Sequence, residues 1–493
     1  MTLRRTGLPT AHHHPIFDSS TLRPSTFDFR LSTLRPGLAT APPSRKLSRV
    51  SRRVVISGLG PVTALGMGIE PAWQRLCEGD GAVARIERFD PAGFDCRIAA
   101  EIHDFKVTKF VPKSYRKATK VMAREIAFAV AAADLAARDA SLVTQGTAEG
   151  DEPRSYDAPR MGAQVGAGLI AADLDELTGA LAEARDDGGR FDIHQWGREG
   201  LTHLTPLWLL KYLPNMLACH VTIIHDAQGP SNTITCGESS GTLSLGESLR
   251  VIRRGAADLC FCGGTDTKLN PMAFLRQLMT GQINTSANDA PEGAVRPFCR
   301  TAQGTVIGEG GAIFIVEALD SFERRAGGRA YCEVLGFGAS QTVHPESRNA
   351  RPDPEGRGIG RAIAAALRDA GVEPQRIDAI VPFGLGVAEI DEAEARALQR
   401  VFGSRLGEIP LAPVKSMAGT CGAGAGALDL CVAAKMIHEQ RLPAVVNCAE
   451  PREGLRAGNA GATPADIGLL LACCCGIGGQ NAAVVLGKVA SSG

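Results

Sequence analysis

Aromatic side chains make up only 5% of the 493 residues, too few to build stacking platforms for single-stranded nucleic acid. Neither sign of charge dominates. The 53 Lys and Arg are matched by 53 Asp and Glu, so no global pull toward nucleic acid or an anionic membrane follows. No uninterrupted apolar run is long enough to span a bilayer. The 14 cysteines lack disulfide-framework spacing, and Cys260, Cys262, Cys431, Cys473, Cys474 and Cys475 lie inside apolar runs. That pattern reads as buried, reduced thiols in a cytoplasmic protein. Successive residues of a strand face opposite ways, so Cys473 to Cys475 cannot converge on one ion. No metal and no cofactor is expected.

Residues 1–52 have almost no acids, only Asp18 and Asp28, and no apolar stretch of the secretory kind. They are rich in Arg, Ser, Thr and Pro, and Ser-Thr-Leu-Arg-Pro occurs at 20–24 and again at 32–36. Such a segment buries too little apolar surface to offset its ordering entropy. It reads as a disordered extension or an over-extended start, with an organelle transit peptide as the alternative. His12, His13 and His14 belong to it.

What is present is an ordinary globular balance, 44% apolar and 22% charged, over a length that suggests two or three domains. The 57 glycines cluster at the ends of apolar runs, as in folds with many tight strand-to-helix turns. Strands are expected at 53–60, 161–170, 258–264, 332–338, 379–382 and 411–414, with a closing hairpin of 469–475 and 481–486. Helices are expected at 71–76, 118–137, 317–326, 359–371, 391–402 and 422–437, and 144–159 reads as a surface loop. Strands alternating with helices imply an α/β protein with buried, largely parallel or mixed sheets. The similar stretches beginning at Val54 and Cys332 suggest a duplicated chain, with an N-terminal half over 53–316 and a C-terminal half over 330–488.

The stretch from Gly229 to Gly241 is the natural place for chemistry. A β-rich run, Thr233 to Thr235, gives way to small residues and then to a helix running to about Arg254. A strand that turns sharply into a helix presents one side chain at its tip, beside the free N–H groups of the helix. Cys236 is the obvious nucleophile there.

The ordered chain resembles a β-ketoacyl-acyl-carrier-protein synthase of the thiolase superfamily. The resemblance rests on Val54–Gly60, Leu213-Pro214-Asn215-Met216, Gly229-Pro230, Cys262-Gly263-Gly264-Thr265, Arg296-Pro297-Phe298, Gly308-Glu309-Gly310, Lys415-Ser416-Met417 and Gly478-Gly479-Gln480-Asn481, in this order. It implies a five-layer αβαβα fold of two similar halves, a dimer, and a substrate carried on an acyl carrier protein. In that family a cysteine at the elbow attacks the acyl thioester. Two histidines assist malonyl decarboxylation and stabilise the oxyanion, roles suited to a thiolate and to imidazole N–H donors.

Aligned on those motifs, this chain departs at each of these positions. The family cysteine stands eight residues after the Gly-Pro proline and three before the next helix glycine. Counts from Pro230 and from Gly241 both reach Glu238, leaving Cys236 two strand residues behind the tip. The first family histidine falls on Phe383, ahead of Asp391 and Glu394, and the two pantetheine-contacting threonines fall on Leu385 and Val387. The second histidine falls on Thr420, although Lys415 of the same motif is retained. A gating phenylalanine becomes Ile477, and an Arg-Asp-Gly becomes Ala302-Gln303-Gly304.

The candidate site is therefore Glu238, Phe383, Thr420, Lys415 and Glu394, with Leu385, Val387 and Ile477 lining the tunnel. Cys236 and Cys421 are expected to be packed thiols. Glu238 at a helix N-terminus is expected to accept backbone N–H groups and to pair with Lys415, with an acid/base or acyl-mimic role as the alternative. Lys415 and Glu394 are expected to form an ion-pair network rather than a catalytic dyad.

Without thiol and imidazoles, condensation by this chain alone has no nucleophile and no oxyanion donor. The family includes chain-length factors that lack the elbow cysteine, commonly carry glutamine there, and complete the tunnel of an active partner. The expectation is a non-condensing homologue of fatty-acid or polyketide synthesis, homo- or heterodimeric, docking an acyl carrier protein. Two alternatives stand beside it: a stand-alone acyl-thioester enzyme with altered residues, and an acyl-chain or carrier-protein binding module.

Overall fold

The structure is a computed structural model that describes residues 51–325, 327–342 and 353–490. The extension expected over 1–52 thus lies, up to Val50, outside the described residues. Arg52, which composition assigns to that extension, donates to Asp258 and Asp320, both at 2.8 Å.

The described residues form nine main strands: β1 (Val54–Thr63), β2 (Met161–Gly166), β3 (Ser231–Ile234), β4 (Leu259–Asp266), β5 (Gly310–Ala318), β6 (Cys332–Gln341), β7 (Ala379–Val381), β8 (Leu469–Cys475) and β9 (Gln480–Gly487). Their order is β7-β8-β9-β6-β1-β5-β4-β2-β3. The pairing scheme is the same on both sides of the middle. β1 pairs antiparallel with β5, β5 antiparallel with β4, and β4 parallel with β2. Likewise β6 pairs antiparallel with β9, β9 antiparallel with β8, and β8 parallel with β7. β1 and β6 meet only at Val55–Glu333 and Ile56–Cys332.

Six helices complete the layers: α1 (Arg124–Asp139), α2 (Met216–His225), α3 (Ser240–Arg253), α4 (Arg357–Ala370), α5 (Ala388–Phe402) and α6 (Ala425–Glu439). α3 and α6 lie in the middle, α1 and α2 cover one outer face, and α4 and α5 cover the other. Period-two alternation shows why both sheet faces are buried. In β5, Ala312, Phe314 and Val316 join the central core, while Ile313 and Ile315 join the core beneath α1. In β9, Ala482, Val484 and Leu486 face the centre, and Ala483 and Val485 face α4. This is the five-layer αβαβα arrangement.

The likeness between the starts at 54 and 332 has a packing cause. A Cβ at Gly58 or Gly60 would collide with the Ala136 and Ala132 carbonyls of α1, and one at Gly336 or Gly338 with the Ala366 and Ala362 carbonyls of α4. Each first strand uses a Gly-x-Gly to seat an alanine-rich helix against the sheet.

Several local expectations need correction. α1 starts at Arg124 rather than 118, because residues 113–121 wind as a tighter 3-10 helix. The helix expected at 317–326 is only Leu319–Arg324, and the stretch before it is β5, absent from the sequence reading. The acidic Glu317 masked that strand, but its buried carboxylate is neutralised by Arg325, which donates twice at 2.7 Å. The strand expected at 411–414 is a single parallel bridge, Ile380–Leu411, followed by a short helix from Lys415 to Ala418. No helix among the described residues is long and apolar enough to cross a membrane.

Candidate functional site

β3 ends at Ile234, and the chain then turns through Thr235, Cys236 and Gly237 into α3. Gly237 holds φ +56°, the left-handed conformation that glycine adopts most readily and that lets the chain reverse here. The Cys236 N–H donates to Ser240 Oγ at 2.8 Å, and that hydroxyl donates to Gly237 O at 2.6 Å. Cys236 is therefore a turn residue rather than a strand residue behind the tip, because strand alternation stops two residues before it. Its thiol is half-buried and pushed up by burial, the opposite of activation.

Glu238 sits where the N-termini of both central helices meet. A Cβ at Gly426 of α6 would stand 3.3 Å from Glu238 O, and one at Gly241 of α3 would stand 2.7 Å from the Ala427 Cβ. The positive ends of two helix dipoles thus face this corner and favour an anion. The Glu238 carboxylate accepts the Ile477 N–H at 3.0 Å, and its carbonyl accepts the Cys474 S–H at 3.2 Å. Burial raises its pKa, the Ile477 N–H opposes that, and Asp266 adds to it. The expected pairing with Lys415 is not made. The carboxylate reaches across to the 476–480 turn instead.

Lys415 is held by Asp429, a residue the sequence reading did not single out. Its Nζ lies 2.6 Å from Asp429 Oδ2, and both side chains are 2% exposed. Burial pushes Asp429 up to about 6, and Lys415 pulls it back; the Lys415 ammonium is itself raised by Asp429 against its own burial. Each charge thus favours the ionic form of the other against the cost of burial. An acid inside the otherwise apolar run from Ala425 to Val432 was the available signal for Asp429, since a buried charge requires a partner. The same ammonium lies 4.6 Å from the centroid of the Phe383 ring.

Glu394 forms no ion pair with Lys415, correcting the expected network. It accepts the N–H groups of Phe383 (2.8 Å) and Gly384 (2.9 Å), while Asp391 accepts those of Leu385 (2.8 Å) and Phe298 (2.8 Å). Burial pushes Glu394 up to about 7 and Asp391 up to about 6, against these donors. Both carboxylates work as scaffolding. They fix a loop whose N–H groups have no ladder to join.

On that loop, Phe383 and Leu385 pack with Ile390 and Cys474 into an apolar cluster, with Val387 and Cys475 against it. Ile477 is half-buried beside Glu238. Thr420 is bridged through its backbone to Ile307, and its buried hydroxyl has no hydrogen-bond partner. The Cys421 thiol donates to Glu309 O at 3.4 Å and is pushed up to about 12 by burial. Cys473 and Cys474 face opposite cores. No group of three or more His, Cys, Asp or Glu among the described residues is arranged to hold a metal ion.

One acid behind this site has a measurable consequence. Burial, with Asp266 and Glu309 adding to it, pushes Glu125 up to about 7. The folded chain then binds more protons than the unfolded chain between pH 4.5 and about 7, so this residue's contribution is present below that window and is lost as pH rises through it. In chemical denaturation, the wild-type stability relative to Glu125→Gln should fall across the window by about 2–3 kcal/mol. Parallel pH profiles for the two proteins would refute it.

The geometry has counterparts among known proteins. Residues 51–322 match the family model described as beta-ketoacyl synthase, N-terminal domain, and residues 331–449 match its C-terminal domain. The chain is 31% identical over 446 residues to 3-oxoacyl-[acyl-carrier-protein] synthase 2 of Coxiella burnetii, covering 89% of this chain and 99% of that one. Among solved structures it resembles a β-ketoacyl synthase from Burkholderia phymatum, with TM-score 0.75 and 25% identity over 89% of this chain and 100% of the other. It also resembles the ishigamide ketosynthase/chain length factor, with TM-score 0.74 and 27% identity at the same coverage. With both halves matched in order on a thiolase-like frame, the chain belongs to the β-ketoacyl synthase family.

Proposed function

We propose that this chain is a non-condensing β-ketoacyl synthase homologue of fatty-acid or polyketide synthesis that pairs with an active synthase. One observation carries the reading: the elbow tip is a carboxylate already bonded to the Ile477 N–H. A backbone N–H aimed at an elbow tip is the kind of donor that stabilises a thioester oxyanion. Here the protein's own side chain occupies it, and Phe383 and Leu385 fill the neighbouring space with hydrocarbon.

An apolar face supports pairing. Leu169, Ile193, Leu207, Leu209, Ile223 and Met279 are all more than half exposed. The segments bearing several of them are tied together by Asn270 Nδ2 donating to Ala172 O (3.3 Å) and Asp173 N donating to Tyr212 Oη (3.1 Å). Among the described residues β3, at the end of the sheet, pairs only with β2, so its other edge is open to a partner there. A large exposed apolar set beside an open strand edge suits a subunit interface. The decisive experiment is co-purification with mass spectrometry. A partner carrying an intact Cys-His-His set is the expected result; a stable monomer whose thioester hydrolysis is abolished by Glu238→Gln would overturn the reading.

Docking of an acyl carrier protein has its own support. Between Phe105 and Arg124 there are six basic residues and no acid. Lys106, Lys109, Lys113, Arg116, Lys117 and Lys120 are exposed and form no ion pair among the described residues. In a chain of zero net charge, this is a local patch for an acidic partner. Lys113→Glu with Lys117→Glu is expected to weaken carrier-protein binding roughly tenfold at low salt, less at high salt. Calorimetry at two ionic strengths checks it; unchanged affinity at both rejects the patch.

A further inference from the structure

The outer face of the C-terminal layer holds a groove of about 900 Å³ between α4, the turn after it and the end of α5. Its floor is apolar, formed by Ala364, Leu367, Val372 and Val401. Its lining carries four arginines, Arg357, Arg361, Arg368 and Arg400, and one acid, Glu373, with Asp353 and Glu355 beside Arg357 and Arg400. The volume falls within the roughly 300–1,000 Å³ of small-molecule sites, which are mostly apolar with a few placed polar groups.

The arginines are unevenly engaged. Arg357 is held by Asp353 at 2.9 Å, and Arg400 donates to Glu355 O at 2.7 Å with the Glu355 carboxylate 3.7 Å away, its remaining guanidinium N–H groups being left for a ligand. Arg361 and Arg368 make no ion pair or side-chain hydrogen bond among the described residues, and both are exposed. Residues 357, 361, 364 and 368 share one face of α4. Arg400 approaches that face beside Gly360, where a Cβ would stand in ordinary contact with Arg400 Nη1, at 3.6 Å. Three guanidinium groups therefore gather at one end of the groove. From Arg361 to Gly371 the helix rises about 15 Å over apolar floor.

We propose that this groove binds an anionic amphiphile, a single acyl chain ending in a carboxylate or a phosphate. The head group is taken by Arg361 and Arg400, whose planar forks suit both oxyanions. The chain lies along Ala364 and Leu367 toward Val372, with its hydrocarbon removed from water. The site is separate from the elbow and does not depend on whether this chain condenses acyl groups.

Titration calorimetry on the full chain tests this with dodecanoate, dodecyl phosphate, inorganic phosphate and dodecyltrimethylammonium. Dodecanoate or dodecyl phosphate, or both, is expected to bind at least roughly tenfold more tightly than the last two, and which of them binds identifies the head group. Arg361→Glu and Ala364→Trp, both at accessible positions of α4, should each weaken binding by about tenfold, with Glu238→Gln within about twofold of wild type. Equal binding of the cationic amphiphile, equal binding of inorganic phosphate, or affinity that falls with Glu238→Gln overturns the proposal. So does unchanged affinity in either groove variant once circular dichroism shows that it is folded.

Discussion

Supplied with acyl- and malonyl-carrier-protein thioesters, the purified chain is expected to form no β-ketoacyl product, and Glu238→Cys alone is expected to leave that unchanged. Three roles are missing at once. There is no thiolate at the tip, and the neighbouring thiols, Cys236 and the Cys474 that donates to Glu238 O, are both pushed up by burial. There is no imidazole at Phe383 or Thr420 to donate to a developing enolate. General acid–base and oxyanion groups contribute about 10²–10⁴-fold each, so restoring one leaves the rest of the barrier in place.

Replacing Glu238 with Cys would free the Ile477 N–H, but no imidazole or other base stands at Phe383 or Thr420 to take the thiol's proton. Detectable condensation is expected only when Glu238→Cys, Phe383→His and Thr420→His are combined. Product analysis by mass spectrometry distinguishes the cases. Turnover by the unmodified chain that disappears with Cys236→Ala would sink the reading.

The second large effect concerns stability. Asp429→Ala is expected to destabilise the fold by about 3–5 kcal/mol, because it leaves the Lys415 ammonium buried without a counter-charge. Lys415 is 2% exposed and stacked on Phe383, so it cannot turn outward to water. The double change Lys415→Met with Asp429→Leu should recover most of that loss, since removing both charges removes the desolvation cost as well. Urea unfolding of the two single variants and the double variant measures it. A loss below about 1 kcal/mol for Asp429→Ala would mean that water or another acid reaches Lys415.

Both predictions depend on how the site divides between local and distant information. Glu238 at the tip was legible in the chain, because the distance from Pro230 and the distance to Gly241 agree without a gap. The apolar character at Phe383, Leu385 and Val387 was equally legible, since residue types are read directly. Partnerships were not. Lys415 was expected to meet Glu238 or Glu394, yet it meets Asp429, while Glu394 takes the Phe383 and Gly384 N–H groups. A buried cation selects among nearby carboxylates by three-dimensional approach and by what else each carboxylate must satisfy. The loop at 383–386 has N–H groups with no strand beside them, so it claims Asp391 and Glu394 first.

Sequence by itself determined the α/β class, the alternation of helices and strands, the glycine-seated strand starts at 54 and 332, and the residue types at Glu238, Phe383 and Thr420, where the family resemblance implies a thiol and imidazoles. Each is a local property, carried by residue type, spacing or periodicity. Tertiary structure alone decided that β5 is a strand despite Glu317, that Cys236 belongs to the turn, and that the Glu238 carboxylate spans to Ile477, 239 residues further along the chain. Those outcomes depend on which groups folding brings within about 3 Å, the reach of a hydrogen bond, and separation along the chain carries no such information.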